Sequence, residues 1–295
     1  MDAGDLKVFE AVARLGGMNR AAVELNTVQS NVTGRIRALE DELGTSLFER
    51  HARGVSPTAA ARRLLPYALT IRQMLRDARK AARDDGVPTG PLVLGSLETT
   101  AAMRLAPLLS DYAAAYPEVD LSLRTGTTCE LIEDVLAHSV EGAFVCGPVD
   151  HPDLIAETMF REELVALTAP SVASLDTVIR KGDFRIVVLR AGCSYRLRLE
   201  ALLARRGSVG VRVLEFGTLE AILACTSAGL GITLLPRAMV ETAHRAGQVG
   251  IHLLPPEDAF VDTVFARRRD AYVSSALAAF LAAARPTQMV VQAAE

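Results

Sequence analysis

The stretch VQSNVTGRIRALEDEL, residues 28–43, has the most informative pattern of this 295-residue chain. Its apolar side chains recur every three or four positions, which predicts a helix with one buried stripe. That stripe consists of Val32, Ile36, Leu39 and Leu43. The opposite face is polar and offers amide, hydroxyl and guanidinium groups, which bond to base edges and phosphates in a major groove. An ordinary solvated helix face is the alternative interpretation.

The residues before this stretch predict two further short helices. Leu6 and Phe9 begin an apolar helical pattern, and a second short helix follows the paired glycines at 16 and 17. We expect Asn19 to cap that second helix, and Asn26-Thr27 to supply a turn and the N-cap of the next one. The result is a helix-turn-helix.

A hairpin is predicted after the helix-turn-helix, over residues 47–58. Arg50 and Arg53 flank its glycine-containing tip. A wing in this place would set both arginines over a sugar-phosphate backbone, whereas a solvated surface hairpin is the alternative. The charge distribution favours a polyanionic partner, because residues 1–85 carry 14 Lys+Arg and 11 Asp+Glu, net +3, while the whole chain has a net charge of −3.

Residues 59–85 predict one long helix with a narrow apolar seam. The seam spacing of four and three residues is typical of a coiled coil and favours dimerisation. The candidate dimerisation residues are Leu64, Ala68, Ile71, Leu75 and Ala78. Packing of this helix on its own domain is the alternative. Pro66 predicts a local bend or a later effective start, and residues 84–91 predict a hinge.

From residue 89 onward, short apolar strands alternate with helices, which is typical of a largely parallel α/β sheet. Two such sets predict two lobes, and a final helix at 271–284 is long enough to return to the first. We expect the first lobe at about 89–163 and 267–290, and the second at about 164–266. The predicted domains are therefore 1–58, 59–88 and 89–295.

Small hydroxyl residues mark several loops that follow a strand and open a helix. Such loops lie at the carboxyl ends of strands, and their free helix N–H groups favour a small anion such as a carboxylate. N-capping by the hydroxyls is the alternative. Glu98 would oppose an anion. It favours instead an amine-bearing or amino-acid-like ligand, and a side chain that simply faces solvent is the alternative. The candidate ligand-binding residues are Ser96, Glu98, Thr99, Thr100, Thr127, Thr128, Cys193, Ser194 and Thr218.

Several segments together resemble the LysR-type transcriptional regulators. They are LKVFEAVA (6–13), NRAAVEL (19–25), VQSNVT (28–33), IRALEDELG (36–44), LFER (47–50), GCSYR (192–196) and AGLGI (228–232) with Leu235-Pro236. The resemblance implies an α/β protein with an N-terminal winged helix-turn-helix and a dimerising linker helix. It also implies a C-terminal, two-lobed, periplasmic-binding-protein-like domain that binds a small-molecule effector between its lobes.

The resemblance further implies which residues contact DNA and which partners the chain has. The implied contacts are Gln29, Ser30, Asn31, Thr33, Arg35, Arg37, Arg50, Arg53 and Thr58. The implied partners are double-stranded promoter DNA and further copies of the chain in a homodimer or homotetramer, with an effector that alters DNA bending or RNA polymerase contact. Gly34 departs from the larger polar residue often found there; it costs about 1 kcal/mol of helix stability, and we expect it to allow a closer approach to DNA.

Other function classes are disfavoured by composition and motifs. The acidic start of the chain and the lack of a long apolar segment predict a cytoplasmic protein without membrane association. The four cysteines lie far apart, so no disulfide, metal site or cofactor is expected; a redox switch at Cys129 or Cys193 is the weaker alternative to buried thiols. A transport receptor is opposed by the missing signal peptide. An enzyme with an appended DNA-binding domain is opposed by the absence of an acid/base or metal cluster.

Overall fold

A computed structural model of the chain describes residues 1–51 and 54–285. It divides into two compact units, Met1–Asp84 and Asp85–Glu295. The first unit contains α1 (Ala3–Leu15), α2 (Met18–Glu24), α3 (Gln29–Leu43), β1 (Phe48–His51), β2 (Gly54–Pro57) and α4 (Ala59–Arg83). Strands β1 and β2 pair antiparallel, as the hairpin pattern predicts.

The helix starts in the first unit differ from those predicted. The N-cap of α2 is Gly17 and that of α3 is Val28, and neither makes a side-chain cap bond. Asn19 therefore lies inside α2, so the prediction that it caps this helix is wrong. The turn between α2 and α3 is closed by the backbone instead, because the Thr27 N–H donates to the Ala22 carbonyl at 2.9 Å and Asn26 adopts a positive φ of 51°.

The buried stripe of α3 is confirmed for three of its four residues. Val32, Ile36 and Leu39 are almost completely buried and pack in one cluster with Phe9 of α1. Leu43 is 38% exposed, because the last turn of α3 extends beyond this core. The helix ends there, with Gly44 in the left-handed conformation.

Helix α4 is continuous through Pro66 from Ala59 to Arg83, so that proline does not mark its start. Thr58 caps the helix by accepting a hydrogen bond from the Ala61 N–H at 3.2 Å. The predicted seam divides into two parts. Ala68 is 2% exposed and Leu64 is half-buried, and both pack against the core of their own unit. Their place in a dimer seam stays a prediction, whereas Ile71 and the seam residues after it are exposed.

The second unit alternates strands and helices along most of its length. In chain order its elements are β3 (Gly90–Ser96), α5 (Glu98–Thr100), a π-helical turn (Ala101–Leu105), α6 (Ala106–Ala115), β4 (Val119–Thr125), α7 (Thr128–Leu136), β5 (Gly142–Cys146), β6 (Leu154–Thr168), α8 (Leu175–Lys181), β7 (Arg185–Leu189), α9 (Ser194–Arg205), β8 (Arg212–Phe216), α10 (Leu219–Ser227), β9 (Thr233–Pro236), α11 (Arg237–Arg245), β10 (Gly250–Leu253), α12 (Pro256–Ala259), β11 (Phe260–Arg268) and α13 (Ser275–Ala284).

The main sheet is mixed, which corrects the expectation of a largely parallel one. Its strand order is β10-β6-β11-β5-β3-β4, and β9 also pairs with β6. Strand β3 runs parallel to β4 and β5, but β11 runs antiparallel to both β5 and β6. Strands β7 and β8 form a separate parallel pair. Two long antiparallel strands therefore join the parallel parts.

Strand β6 connects the two lobes without interruption. Its residues 154–163 pair with β11, and its residues 164–168 pair with β9 and β10. The boundary predicted at 163/164 thus lies inside one continuous strand. Strand β11 belongs to the first lobe from Phe260 onward, because it pairs there with β5 and β6. The return crossing therefore precedes Phe260, and the predicted end of the second lobe at 266 is corrected.

The final helix packs in the first lobe, as the sequence predicts. Phe280 and Leu277 of α13 lie in one buried cluster with Leu92 of β3. The Tyr112 hydroxyl donates to the Ala276 carbonyl at 2.7 Å. The predicted extension of this lobe to residue 290 runs past the described residues. None of the described helices combines the length and the hydropathy that a bilayer crossing requires.

Candidate functional site

The outer face of α3 is polar and open to solvent. Gln29, Ser30, Asn31 and Arg37 are exposed, and Thr33 is half-buried. The helix begins without a side-chain cap and without an acidic residue in its first turn. Its N-terminal N–H groups therefore point outward with a positive partial charge, which suits a phosphate.

The two arginines of α3 differ in their surroundings. The Arg35 guanidinium lies 3.4 Å from the Asp5 carboxylate and 3.8 Å from that of Asp2. Arg37 is exposed and has no ion-pair partner within residues 1–51 and 54–285. Asn31 also has an internal partner, since its side-chain amide donates to the Thr27 hydroxyl at 2.9 Å. Arg37 is thus the cation of this face that is free to meet a new anion.

The hairpin is fixed to the helices by a residue that the sequence analysis missed. The Glu40 carboxylate of α3 accepts hydrogen bonds from the backbone N–H groups of Leu47, at 2.6 Å, and Phe48, at 3.1 Å. On the other strand, Val55 N–H donates to the Gly16 carbonyl at 3.1 Å. Glu40 looked like one member of an acidic run in the sequence, so only the fold shows its positioning role.

Three predicted DNA-contact residues lie in the hairpin region. Arg53 and the side chain of Arg50 lie outside the part of the chain that the structure describes. The Thr58 hydroxyl donates to the Ser46 carbonyl at 2.9 Å and also caps α4. In this structure Thr58 therefore holds the start of α4.

An open cavity lies between the two lobes of the second unit, and its empty space, counted together with the solvent at its mouth, is about 460 Å³. It brings together five of the nine predicted ligand-binding residues, which are Glu98, Thr99, Thr127, Cys193 and Ser194. Sequence reasoning missed much of the rest of its lining, which includes Leu97, Leu189, Arg190, Tyr195 and Phe216. The position of residues 189–195 between a strand and a helix indicates that this whole segment lies at the cavity. The sequence prediction includes only its small hydroxyl and thiol residues.

The other four predicted residues do not line this cavity. Ser96 is fully buried and donates to the Leu97 carbonyl at 3.0 Å, and Thr100 is buried as well. Thr218 caps α10 by accepting from the Ala221 N–H at 3.3 Å. Thr128 acts indirectly, because its hydroxyl accepts a hydrogen bond from the Ser194 hydroxyl at 2.9 Å.

Polar contacts join the two lobes around the cavity. The hydroxyls of Thr99 and Tyr195 lie 3.3 Å apart, in addition to the contact between Ser194 and Thr128. The Arg190 guanidinium lies 3.5 Å from the Glu130 carboxylate. Each contact pairs a residue of the first lobe with one of the second. These contacts hold the two lobes together beside the cavity.

Two titratable groups of the cavity lining, the Tyr195 phenol and the Cys193 thiol, have pKa values raised by burial. Burial raises the pKa of the Tyr195 phenol well above its usual range, and burial also raises the pKa of the Cys193 thiol. A raised thiol pKa is the opposite of what an activated redox cysteine needs. By contrast, the hydrogen bond from the Thr127 N–H lowers the pKa of Glu130. Within the described residues, no group of three or more His, Cys, Asp or Glu side chains could hold a metal ion.

Two family models together match most of the chain. The model described as bacterial regulatory helix-turn-helix protein, lysR family, matches residues 3–62, and the LysR substrate binding domain matches residues 85–288. The chain is a LysR-type transcriptional regulator. It contains the family's helix-turn-helix DNA-binding domain and its effector-binding domain, as the resemblance implies.

Relatives of this regulator share its whole length. The regulator GltR of Bacillus subtilis strain 168 is 42% identical over 276 residues, which cover 94% of this chain and 93% of GltR. The uncharacterized regulator YusT of the same strain is 43% identical over 288 residues, covering 98% of this chain and 97% of YusT. Both relatives are described as HTH-type transcriptional regulators.

Solved structures confirm the predicted fold class. Full-length OxyR from Pseudomonas aeruginosa has a TM-score of 0.69 and 20% identity, with 96% of this chain and 93% of that one covered. CbnR in complex with its target DNA has a TM-score of 0.61 and 24% identity, covering 96% of this chain and 99% of CbnR. At these identities the likeness concerns the fold alone.

Proposed function

We propose that this regulator reads promoter DNA with the outer face of α3. The single observation that carries the proposal is that α3 buries Val32, Ile36 and Leu39 and presents a polar face, beginning at an uncapped and acid-free N-terminus. The proposed base-reading residues are Gln29, Ser30, Asn31, Thr33 and Arg37. Amide and guanidinium groups of this kind form paired hydrogen bonds to base edges.

The remaining predicted contacts have backbone-binding or supporting roles in this proposal. Arg35 contacts a phosphate in place of the Asp5 and Asp2 carboxylates. These two carboxylates and the phosphate compete for the same guanidinium group. Arg50 and Arg53 contact the sugar-phosphate backbone from the hairpin. Thr58 acts by fixing the start of α4, since both its donor and its acceptor capacity are used there.

The exposed part of α4 forms a homodimer in this proposal. Ile71, Leu75 and Ala78 are all exposed, and Met74 next to them is also open to solvent. Apolar side chains in such a row favour a second copy of the same helix. A dimer would place two α3 helices in successive major grooves, and pairing of two dimers would give the tetramer.

The cavity between the lobes is the proposed effector site. Glu98, Thr99, Thr127, Cys193 and Ser194 contact the effector, and Thr128 supports Ser194 from outside the lining. Binding there shifts the balance between lobe arrangements, and the change reaches the promoter as altered DNA bending or RNA polymerase contact. The effector is bound without turnover, consistent with relatives that are all regulators.

The test compares operator preference between the parent and a double variant. Duplexes enriched from a randomised pool by the full chain serve as operators. Thr33→Ala together with Arg37→Ala should relax discrimination among them by about 10-fold or more, because each paired contact to a base contributes about 1–3 kcal/mol. The measurement is competitive binding of each protein to enriched and scrambled duplexes.

Arg180→Ala is the matched control for the loss of one arginine, because Arg180 is exposed on α8 in the other unit. It should leave the preference unchanged. An unchanged preference in the double variant, or no enrichment of any duplex by the parent, would contradict the proposed reading face.

A further inference from the structure

The lining of the interlobe cavity is largely carbon. Leu97, Leu189 and Phe216 each contribute apolar side chains, and the Tyr195 ring adds a fourth apolar surface. Sites that bind small molecules place the apolar body of the ligand against such walls, while a few polar groups fix its orientation. The polar groups therefore decide which charge the ligand carries.

Two lining residues carry a formal charge, Glu98 and Arg190. Arg190 is already paired, because its guanidinium lies 3.5 Å from the Glu130 carboxylate. Glu98 is half-buried and has no ion-pair partner in the described part of the chain. The pair of Arg190 and Glu130 is electrically neutral. The Glu98 carboxylate therefore leaves one net negative charge on the cavity lining.

Glu98 lies at the start of a helical segment. It is the first residue of α5, and the helical path continues from there to Ala115. Acidic side chains are favourable near a helix N-terminus. The other acids of the lining, the Tyr195 phenol and the Cys193 thiol, remain neutral donors and acceptors. A half-buried carboxylate with no ion-pair partner among the described residues is a favourable place for a ligand cation.

We infer that the effector is a small molecule with a primary ammonium group on an apolar body, and that its ammonium pairs with Glu98. Leu97, Leu189 and Phe216 enclose the apolar body. This inference rests on the proposed effector role of the cavity. The ammonium can belong to a simple amine or to an amino acid, and the experiment separates these two sources.

The test is calorimetric titration of the full chain with three compounds that share one branched carbon body. They are 3-methylbutylamine, which carries only the ammonium, leucine, which carries both charges, and 4-methylpentanoate, which carries only the carboxylate. We expect the amine, leucine or both to bind, and the carboxylate to bind more weakly. Binding of leucine above the amine would identify an amino acid as the source.

The variant Glu98→Gln tests the assigned partner while keeping the side-chain shape. Because a hydrogen bond to a charged group contributes about 1.5–3 kcal/mol, we expect its loss to weaken ammonium binding about 10-fold or more. Glu118→Gln makes the same change at an exposed position outside the cavity lining, and it should bind like the parent.

Three results would overturn the inference. They are stronger binding of 4-methylpentanoate than of either ammonium compound, no binding of either ammonium compound, and equal binding by Glu98→Gln and the parent. Failure of the proposed effector role has a different signature. In that case the ammonium compounds bind through Glu98, but saturation with them leaves the affinity for operator DNA unchanged.

Discussion

Gly34 lies in the middle of α3 with open space beside it. A Cβ added there would meet nothing within 4 Å, and the residue is exposed on the proposed reading face. The fold therefore gives no internal reason for a glycine at this position. An approaching DNA backbone or base edge does give one, because glycine permits the closest contact with the helix backbone.

Gly34→Ala should separate stability from binding. We expect the free energy of unfolding to rise by about 1 kcal/mol, since alanine has the higher helix propensity. Operator affinity should fall, because the new methyl group would lie between α3 and the bases. Denaturant unfolding and operator titration measure the two effects. A stabilised variant that binds the operator as tightly as the parent would show that DNA does not approach the helix at Gly34.

At the scale of elements, α4 has two apolar surfaces along its length, one buried in its own unit and one exposed. Its first half belongs to the core of the DNA-binding unit through Ala61 and Ala68. The middle of the helix is also held to α1 by charge, because the Arg72 guanidinium lies 2.7 Å from the buried Glu10 carboxylate. Its second half exposes Ile71, at 36%, and Leu75, at 41%. The helix is thus anchored at one end and available to a partner at the other.

Ile71→Asp should dissociate the dimer without unfolding the unit. The new carboxylate would face its copy across the helix pair, and desolvation of two like charges is unfavourable. Light scattering should give a particle mass of about half that of the parent dimer. Arg76→Ala changes the net charge by the same amount at another exposed position of α4 and should keep the parent mass. A parent-like mass for Ile71→Asp would rule out this half of α4 as the dimer contact.

At the scale of the whole effector-binding unit, the two lobes approach each other closely at Gly192. This residue has a φ of +90°, and a Cβ added to it would lie 2.9 Å from the Thr127 hydroxyl oxygen of the other lobe. Strand β6 pairs with strands of both lobes and so links them. A side chain added at Gly192 would press one lobe away from the other. The effector site therefore depends on a close approach that only a glycine allows here.

Gly192→Ala should open the cleft. We expect buried Cys193 to react severalfold faster with a thiol reagent, because local opening exposes its sulfur. Mass spectrometry after timed labelling measures the rate at this residue. Gly210→Ala is the matched control, since Gly210 also has a positive φ, of 65°, but no atom lies within 4 Å of an added Cβ. Equal labelling of Cys193 in the two variants would show that backbone strain alone, and not the lobe contact, matters.

The features that the sequence by itself determined are those set by neighbouring residues. The period of α3, the β1–β2 hairpin and the strand–helix alternation of the second unit all follow from spacing and turn residues within short windows. Short windows of sequence also point to five residues of the cavity lining. A loop between a strand and the helix that follows it lies at the carboxyl edge of the sheet.

Tertiary structure alone decided what depends on distant parts of the chain. Helical spacing cannot show that Ala68 is covered by the unit's own core while Ile71 is open. Nor can it show that Arg35 is paired with Asp5 or that β6 belongs to both lobes. It also cannot show that Arg190 has an ion-pair partner while Glu98 has none among the residues that the structure describes. The physical reason is that burial and ion pairing require two surfaces to meet, and a residue pattern specifies only one of them.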